Sequence, residues 1–275
     1  MTAALRSLTL DDVTLAYRST GSGPAVLAIQ GVGVAGDGWG PQVEALARRH
    51  RVLTFDNRGV GATARGAGPL SIERMAADAA AILDAEGIER CHLVGHSMGG
   101  LIALALALDA PARVLSLSLL CTFADGAGPT RPTARMIALG LPTRIGTRRM
   151  RRLAMQRLLF PDDYLRQVDR AALAERLNLL FGRDLGEAPP IVSEQLKVMG
   201  RYDATPRLSA LAGVPTLVLS ARHDPIAPPA FGRAIAAGIP GARYVELEDA
   251  SHAVTIQQAD RVNALLLAHL DAVAS

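Results

Sequence analysis

Short apolar runs alternate along this chain with segments in which apolar residues recur every three or four positions. The runs cover residues 25–29, 51–55, 91–94, 115–120, 215–220 and 242–247. The helical spacing covers residues 42–49, 72–86, 101–108, 231–237 and 259–273. A continuous apolar run is typical of a strand that is buried on both faces. The regular alternation therefore predicts an α/β protein with a mostly parallel sheet flanked by helices.

Two parts of the chain depart from this alternation. Residues 6–10 and 14–17 flank two aspartates, which predicts an antiparallel hairpin at the edge of a sheet of about eight strands. Between residues 125 and 207, helix-like stretches are separated by prolines and glycines, without a convincing strand pattern. We therefore predict one α/β core formed by residues 1–124 and 208–275, with residues 125–207 inserted as a helical lid.

Amino-acid composition and net charge indicate which broad classes of protein this chain can belong to. Of 275 residues, 49% are hydrophobic and 20% are charged, which suits a large buried core. The net charge of +3 indicates neither a nucleic-acid partner nor a membrane partner. The N-terminus has no long apolar stretch, and the apolar run 101–108 is too short to span a bilayer, so we expect a cytoplasmic protein. Homodimer formation is compatible with all of these observations.

Cysteine and metal chemistry are not indicated. Cys91 opens one predicted strand and Cys121 closes the next, which places the two thiols at opposite ends of the sheet. We therefore expect two unpaired cysteines. Histidines and carboxylates do not cluster with metal-ligand spacing, so neither a metal nor a cofactor is expected.

An arginine-dense stretch lies inside the predicted lid. Eight arginines fall between Arg131 and Arg157, and no acidic residue separates them. One interpretation is attraction of an anionic substrate. The simpler interpretation is a solvated helix face, because the stretch has neither interleaved aromatic residues nor a nucleic-acid motif.

The turn GHSMG at residues 95–99 carries the strongest chemical signal. It follows the apolar run 91–94 and precedes the apolar helical segment 101–108. A serine on a sharp strand-to-helix turn has a strained backbone that lifts its hydroxyl above the sheet, and flanking glycines relieve the crowding. This setting predicts Ser97 as a nucleophile.

A serine hydroxyl needs a base, and the base needs an acid that fixes its tautomer. Asp224 follows the run 215–220, and His252 follows the run 242–247. The carboxyl ends of parallel strands meet at one edge of a sheet, so these side chains can converge on Ser97. We predict the catalytic set Ser97, Asp224 and His252. His96 and His223 are rival bases, but they stand beside triad positions and are expected to point elsewhere.

An oxyanion hole needs two backbone N–H groups near the nucleophile. The helix after Ser97 directs its N-terminal amides at the hydroxyl, so the N–H of Met98 can stabilise negative charge there. The loop of residues 30–33, Gln-Gly-Val-Gly, follows the strand at 25–29 and is flexible enough to turn a second amide toward Ser97. We predict Val32 and Met98 as the two oxyanion donors.

These motifs resemble the α/β-hydrolase superfamily, in its branch of esterases, 3-oxoadipate enol-lactonases and cofactor-free haloperoxidases. The resemblance rests on the stretch from Gln30 to Gly100 together with Asp224 and His252, and covers nearly the whole chain except the lid. It implies an α/β-hydrolase fold without a cofactor. Because some members take their acid after the strand corresponding to 115–120, Asp125 stays open as an alternative to Asp224.

Two details of the resemblance concern loops rather than chemistry. The run FDNRGVG at residues 55–61 resembles the turn after the fourth strand in that branch, which implies that Arg58 braces loops. Relatives commonly carry His-Gly where this chain has Gln30-Gly31, so the oxyanion loop is held here by a residue that does not titrate.

A serine nucleophile with an oxyanion hole suits an acyl carbon. Haloalkane dehalogenases and epoxide hydrolases resemble the chain in fold but attack with aspartate, and Ser97 argues against both. We expect hydrolysis of a carboxylic ester or lactone of a small, largely apolar substrate. Meta-cleavage C–C hydrolysis, and haloperoxidase or perhydrolase activity, would use the same triad and stay open. A receptor-like protein that binds a ligand with slow turnover is the alternative from another class.

The predicted lid supplies the expected apolar wall above Ser97. Its apolar residues are Met136, Ile137, Leu139, Leu141, Met150, Leu153, Met155, Leu158, Leu159 and Phe160. Helical spacing does not separate side chains that line a pocket from side chains that pack the lid against itself.

Overall fold

The computed structural model describes residues 3–131 and 133–273 and contains one eight-stranded sheet. The strands are β1 (Arg6–Thr9), β2 (Thr14–Thr20), β3 (Ala25–Ile29), β4 (Arg51–Phe55), β5 (Cys91–His96), β6 (Val114–Leu120), β7 (Thr216–Ala221) and β8 (Arg243–Leu247). Their order across the sheet is β1-β2-β4-β3-β5-β6-β7-β8. β1 and β2 pair antiparallel, as do β2 and β4, and all the other pairs are parallel. This sheet confirms the predicted fold class.

Helices cover both faces of the sheet. The core helices are α1 (Gly40–Leu46), α2 (Ile72–Ala85), α3 (Met98–Asp109), α10 (Pro229–Gly238), α11 (Val254–Gln257) and α12 (Ala259–Asp271). One buried apolar cluster joins α2, α3 and α10 to one face of the sheet, and a second joins α1 and α12 to the other face. α3 is buried on all sides, which follows from its uninterrupted apolar sequence.

A long helical segment connects β6 to β7. Its helices are α4 (Ala127–Thr130), α5 (Ala134–Gly140), α6 (Arg148–Leu159), α7 (Asp162–Gln167), α8 (Arg170–Phe181) and α9 (Pro190–Met199). We call residues 125–207 the lid segment. A third apolar cluster, which includes Leu173, Leu177 and Phe181, packs α6, α7 and α8 together and extends to Ala253 and Ile256 of the core. The division into two domains stays a prediction.

Element boundaries differ from the sequence-based ones where tertiary pairing extends an element. β2 continues to Thr20, beyond the predicted end at residue 17, because its second half pairs with β4. α3 begins at Met98 rather than at residue 101, directly after the turn at Ser97. Cys91 and Cys121 are both buried and unpaired. In the described part of the chain, no helix is both long and apolar enough to cross a membrane.

Candidate active site

Ser97 stands on a strained turn between β5 and α3. Its backbone dihedrals are φ 56° and ψ −125°, a region that residues other than glycine rarely adopt. Glycines are required on both sides. A Cβ on Gly95 would lie 2.4 Å from the Gly99 carbonyl oxygen, and a Cβ on Gly99 would lie 2.1 Å from the Ile29 carbonyl oxygen. The turn is held by hydrogen bonds to β6 and its following loop, from the Ser97 N–H to the Leu120 carbonyl oxygen (3.0 Å) and from Thr122 Oγ1 to the Ser97 carbonyl oxygen (2.6 Å).

The structure brings Ser97, His252 and Asp224 together. Nε2 of His252 lies 3.0 Å from Oγ of Ser97, and Nδ1 of His252 lies 2.7 Å from Oδ2 of Asp224. Because a carboxylate accepts, Nδ1 of His252 carries the proton, and Nε2 accepts the hydrogen bond of the Ser97 hydroxyl. This is the arrangement in which a histidine can remove the hydroxyl proton.

The environment keeps Asp224 ionised. Burial of this carboxyl acts to raise its pKa, but the charge and hydrogen bond of His252 act in the opposite direction. Oδ1 also accepts the backbone N–H of Ile226 (2.8 Å) and of Ala227 (2.9 Å). The net result is a lowered pKa for Asp224, so the negative charge persists beside the imidazole.

Asp125, the alternative acid, lies in a different setting. It is exposed, and its Oδ1 accepts the backbone N–H of Ala127 at 2.8 Å at the start of α4. Among the described residues, Asp224 is the carboxylate that hydrogen-bonds to His252.

The described hydrogen bonds of Ser97 Oγ involve neither of the two rival histidines. His223 is exposed. His96 is buried, and its Nε2 lies 2.8 Å from the backbone carbonyl oxygen of His252. Burial lowers the pKa of His96 to about 3, so its ring is neutral near pH 7 and Nε2 donates its proton to that carbonyl oxygen. His96 thus supports the backbone of His252, a role that the sequence did not reveal.

The loop after β3 passes directly over Ser97. A Cβ on Gly31 would lie 3.0 Å from Cβ of Ser97, so the loop crosses close to the nucleophile. Oε1 of the buried Gln30 accepts the N–H of Gly31 at 3.2 Å, and the Gln30 carbonyl oxygen accepts a hydrogen bond from Asn57 at 3.1 Å. Gln30 therefore fixes the first peptide of this loop with neutral hydrogen bonds.

The side chain of Arg58 binds two carboxylates outside the triad. Its buried guanidinium bonds Asp78 through Nε at 2.7 Å and Asp12 through Nη1 at 2.6 Å. The hydrogen bond with Asp78 raises the pKa of Arg58 above its ordinary value, so the group stays charged. This position agrees with the expectation that Arg58 braces loops.

A cavity of about 670 Å³ lies where the lid segment meets the loops of the triad. Its core wall includes His223, Pro225 and Ser251, the chain neighbours of Asp224 and His252. Leu139 and Phe160 contribute apolar surface as expected. The remaining lid wall is Arg135, Ala138, Arg157, Pro161, Asp162 and Asp163.

The predicted apolar wall is therefore only partly correct. Ile137, Leu141 and Met150 are exposed to solvent, while Leu159 packs in the cluster inside the lid segment. Helical periodicity did not distinguish these positions, because a lid helix can turn an apolar side chain toward solvent, toward the lid core or toward the cavity.

Two of the eight arginines in the arginine-dense stretch form ion pairs within the lid segment. Arg152 bonds Asp184 and Glu175, and Arg148 bonds Glu187 at 2.9 Å. The hydrogen bond from Arg152 lowers the pKa of Asp184 to about 2. These acidic partners come from α8 and the following loop, so Arg148 and Arg152 are paired with residues distant in sequence.

Comparison with known proteins agrees with this geometry. The family model for the alpha/beta hydrolase fold matches residues 24–259. The chain belongs to the α/β-hydrolase family. The chain is 33% identical over 259 residues to a protein of Azorhizobium caulinodans provisionally named carbamate hydrolase RutD. The alignment covers 93% of this chain and 94% of that protein.

Two further relatives extend the comparison. A Mycobacterium tuberculosis protein provisionally named non-heme bromoperoxidase BpoC is 32% identical over 263 residues, covering 93% of this chain and 97% of that protein. The crystal structure of the enol-lactonase from Burkholderia xenovorans LB400 superposes with a TM-score of 0.81 at 29% identity, covering 97% of this chain and 100% of the lactonase chain. These relatives confirm the branch that the sequence motifs indicated.

Proposed function

We propose that this α/β-hydrolase cleaves a carboxylic ester or lactone of a small, largely apolar substrate through an acyl-enzyme on Ser97. The observation that carries the proposal is a pair of hydrogen bonds at His252, which accepts from Ser97 Oγ through Nε2 at 3.0 Å and donates to Asp224 Oδ2 through Nδ1 at 2.7 Å. A serine hydroxyl linked in this way is the nucleophile of acyl-transfer enzymes. The similarity to an enol-lactonase structure supports the same substrate class.

In the proposed acylation, Oγ of Ser97 attacks the acyl carbon while its proton passes to Nε2 of His252. The carbonyl π electrons move to oxygen, and the resulting oxyanion accepts hydrogen bonds from the N–H groups of Val32 and Met98. The tetrahedral intermediate then expels an alkoxide or enolate, which takes the proton from Nε2. Asp224 stabilises the transient imidazolium without being protonated.

Deacylation repeats these steps with water. Nε2 of His252 removes a proton as the water oxygen attacks the acyl carbon, and as the intermediate collapses Nε2 returns that proton to the departing Ser97 Oγ. The carboxylic acid product leaves, and the free serine is restored. The position of the loop above Ser97 supports the role of Val32, and in the described part of the chain neither the Val32 N–H nor the Met98 N–H donates a hydrogen bond to another protein group.

A carbamate is the second candidate substrate class. The support is the 33% identity to the protein named carbamate hydrolase RutD, which extends over nearly the whole of both chains. A carbamate also presents an acyl carbon, so the same serine, histidine and oxyanion donors would act on it. Its acyl carbon is less electrophilic because the nitrogen lone pair delocalises into the carbonyl group.

The test begins with intact mass after exposure to a fluorophosphonate probe. We expect one adduct on the wild-type protein and none on Ser97→Ala, with Asp125→Asn as a labelled control. Turnover is then measured on matched phenyl esters, lactones and phenyl carbamates. Labelling that persists in Ser97→Ala, or no labelling of folded wild-type protein, would overturn the proposal. Faster turnover of the carbamate than of the matched ester would favour the second candidate.

A further inference from the structure

The loop that passes over Ser97 is held by the lid segment. The Gly33 N–H donates to Oε1 of Gln195 on α9 at 2.8 Å. The Gly33 carbonyl oxygen accepts from Nε of Arg183, just after α8, at 2.9 Å. The N–H of Ala35 donates to the Phe181 carbonyl oxygen at 3.3 Å. Residues far along the chain therefore hold both polar atoms of Gly33.

Gln195 is fully buried, and both polar atoms of its side-chain amide have hydrogen-bond partners. The residue has 0% exposure, so the side-chain amide has no access to solvent. Oε1 accepts from Gly33 while Nε2 donates to the Arg58 carbonyl oxygen at 3.3 Å, so the two partners fix the orientation of the amide. The side chain of Arg58 is itself clamped by Asp78 and Asp12. Gln195 thus ties the loop to a rigid part of the core.

The geometry of the peptide chain passes this restraint to Val32. A trans peptide is planar, and its N–H and C=O point in opposite directions within that plane. Fixing the Gly33 N–H therefore also fixes the direction of the Val32 carbonyl. In the preceding peptide, the Gly31 carbonyl oxygen accepts the N–H of Val34 at 3.4 Å, inside the turn. The Val32 N–H belongs to this same peptide and points in the direction opposite to the Gly31 carbonyl, out of the turn.

Gly33 adopts φ +64°, so the turn needs the left-handed conformation at this position. A Cβ there would also lie 2.7 Å from Cγ2 of Val192, which shows how closely α9 packs on the loop. The side chain of Val192 therefore packs on the loop at Gly33, the residue whose left-handed conformation sets the direction of the loop.

We propose that Gln195 is a positioning residue that holds the Val32 N–H in the orientation of an oxyanion donor, and that the lid segment is thereby a working part of the active site. The inference rests on the proposed serine hydrolase function. It differs from simple packing because an oxyanion donor acts on the transition state, so a misplaced Val32 lowers kcat and leaves KM nearly unchanged.

The chain offers a matched control in Gln156 on α6. This residue also has 0% exposure, and its amide also makes two hydrogen bonds, both with Arg170 of the lid segment. Gln195→Met and Gln156→Met therefore remove the same group from equally buried positions. Only the first variant loses a bond to the loop above Ser97.

We expect Gln195→Met to lower kcat for a phenyl ester by about tenfold or more, since loss of a whole oxyanion donor costs about 100-fold or more. KM is expected to stay within about threefold. Affinity for a trifluoromethyl ketone, which forms an oxyanion on binding to serine, should fall in parallel with kcat. Amide hydrogen exchange at Gly33 should accelerate. Gln156→Met should keep kcat, inhibitor affinity and exchange at Gly33 near their wild-type values.

Equal kcat for Gln195→Met and Gln156→Met, in protein whose Ser97 is labelled by fluorophosphonate, would overturn the inference alone. Wild-type protein that is neither labelled nor active would overturn the proposed function, and this inference with it. If Gln195→Met does not fold, Arg183→Met is measured instead, because it removes the bond to the Gly33 carbonyl oxygen. The same loss of kcat is then expected, and wild-type kcat in a folded Arg183→Met would contradict the inference.

Discussion

His96 and His252 are joined by a hydrogen bond from the imidazole of the first to the backbone of the second. Nε2 of His96 lies 2.8 Å from the His252 carbonyl oxygen, and the two ring centroids are 4.9 Å apart. The residue that precedes the nucleophile therefore fixes the loop that carries the base. Burial lowers the pKa of His96 to about 3, so near pH 7 its neutral ring donates to this carbonyl oxygen through Nε2.

This contact predicts different behaviour for two variants of His96. Glutamine can place an amide donor near the position of Nε2, whereas methionine has a similar length and no donor. We expect His96→Met to lower kcat about fivefold, which corresponds to a hydrogen bond worth about 1 kcal/mol. His96→Gln should retain most of the wild-type kcat. Steady-state kinetics on a phenyl ester checks this, and equal kcat for the two variants would show that the bond does not position His252.

Asp224→Asn is expected to lower kcat by about a thousandfold or more, without unfolding the protein. An asparagine amide can donate to Nδ1 of His252, which places the imidazole proton on Nε2 and prevents that atom from accepting the proton of Ser97. The control is Asp125→Asn, because asparagine still accepts the N–H of Ala127 through its side-chain oxygen. We expect this variant to retain wild-type kcat. A larger loss in Asp125→Asn than in Asp224→Asn would reverse the assignment of the acid.

The strained backbone of Ser97 predicts that this position lowers the stability of the folded protein. With φ 56° and ψ −125°, the residue occupies a region that costs about 1 to 3 kcal/mol for any residue with a Cβ. Ser97→Ala keeps that strain, whereas Ser97→Gly removes it at a smaller cost in unfolded-state entropy. We expect Ser97→Gly to be more stable than Ser97→Ala by about 1 kcal/mol in urea unfolding. Equal midpoints would mean that the turn carries no strain.

The elements that form the catalytic edge could be predicted because each depends on a local pattern. The apolar runs before Ser97 and Asp224 mark buried strands, and the glycines around Ser97 mark a turn too crowded for a Cβ. The convergence of Ser97 and His252 then follows from a general property of parallel sheets.

Contacts across the lid segment could not be predicted in this way. Gln195 lies on an otherwise ordinary amphipathic helix, and its bond to Gly33 spans 162 residues of sequence. Asp184 neutralises Arg152 from a separate loop, which the local charge pattern does not reveal. Such contacts depend on how helices pack, and helical periodicity gives only the direction of an apolar face.

Buried histidines predict the response of stability to acid. His92 is buried near the start of β5, and its Nδ1 lies 2.8 Å from Oγ of Ser116. Burial, reinforced by the nearby His50 and His269, lowers the pKa of His92 to about 4. The unfolded chain takes up a proton near pH 6.5, whereas the folded protein resists it until about pH 4.

Stability that depends on a lowered histidine pKa is present above pH 6.5 and is lost as the pH falls toward 4. For His92 alone, the expected loss between pH 7.5 and pH 4.5 is about 2 kcal/mol. Urea unfolding at these two pH values checks this, with His92→Asn as the comparison. The variant should be less stable than wild type at pH 7.5 but should lose less stability on acidification. An identical loss in both proteins would show that His92 titrates in the folded protein as it does in the unfolded chain.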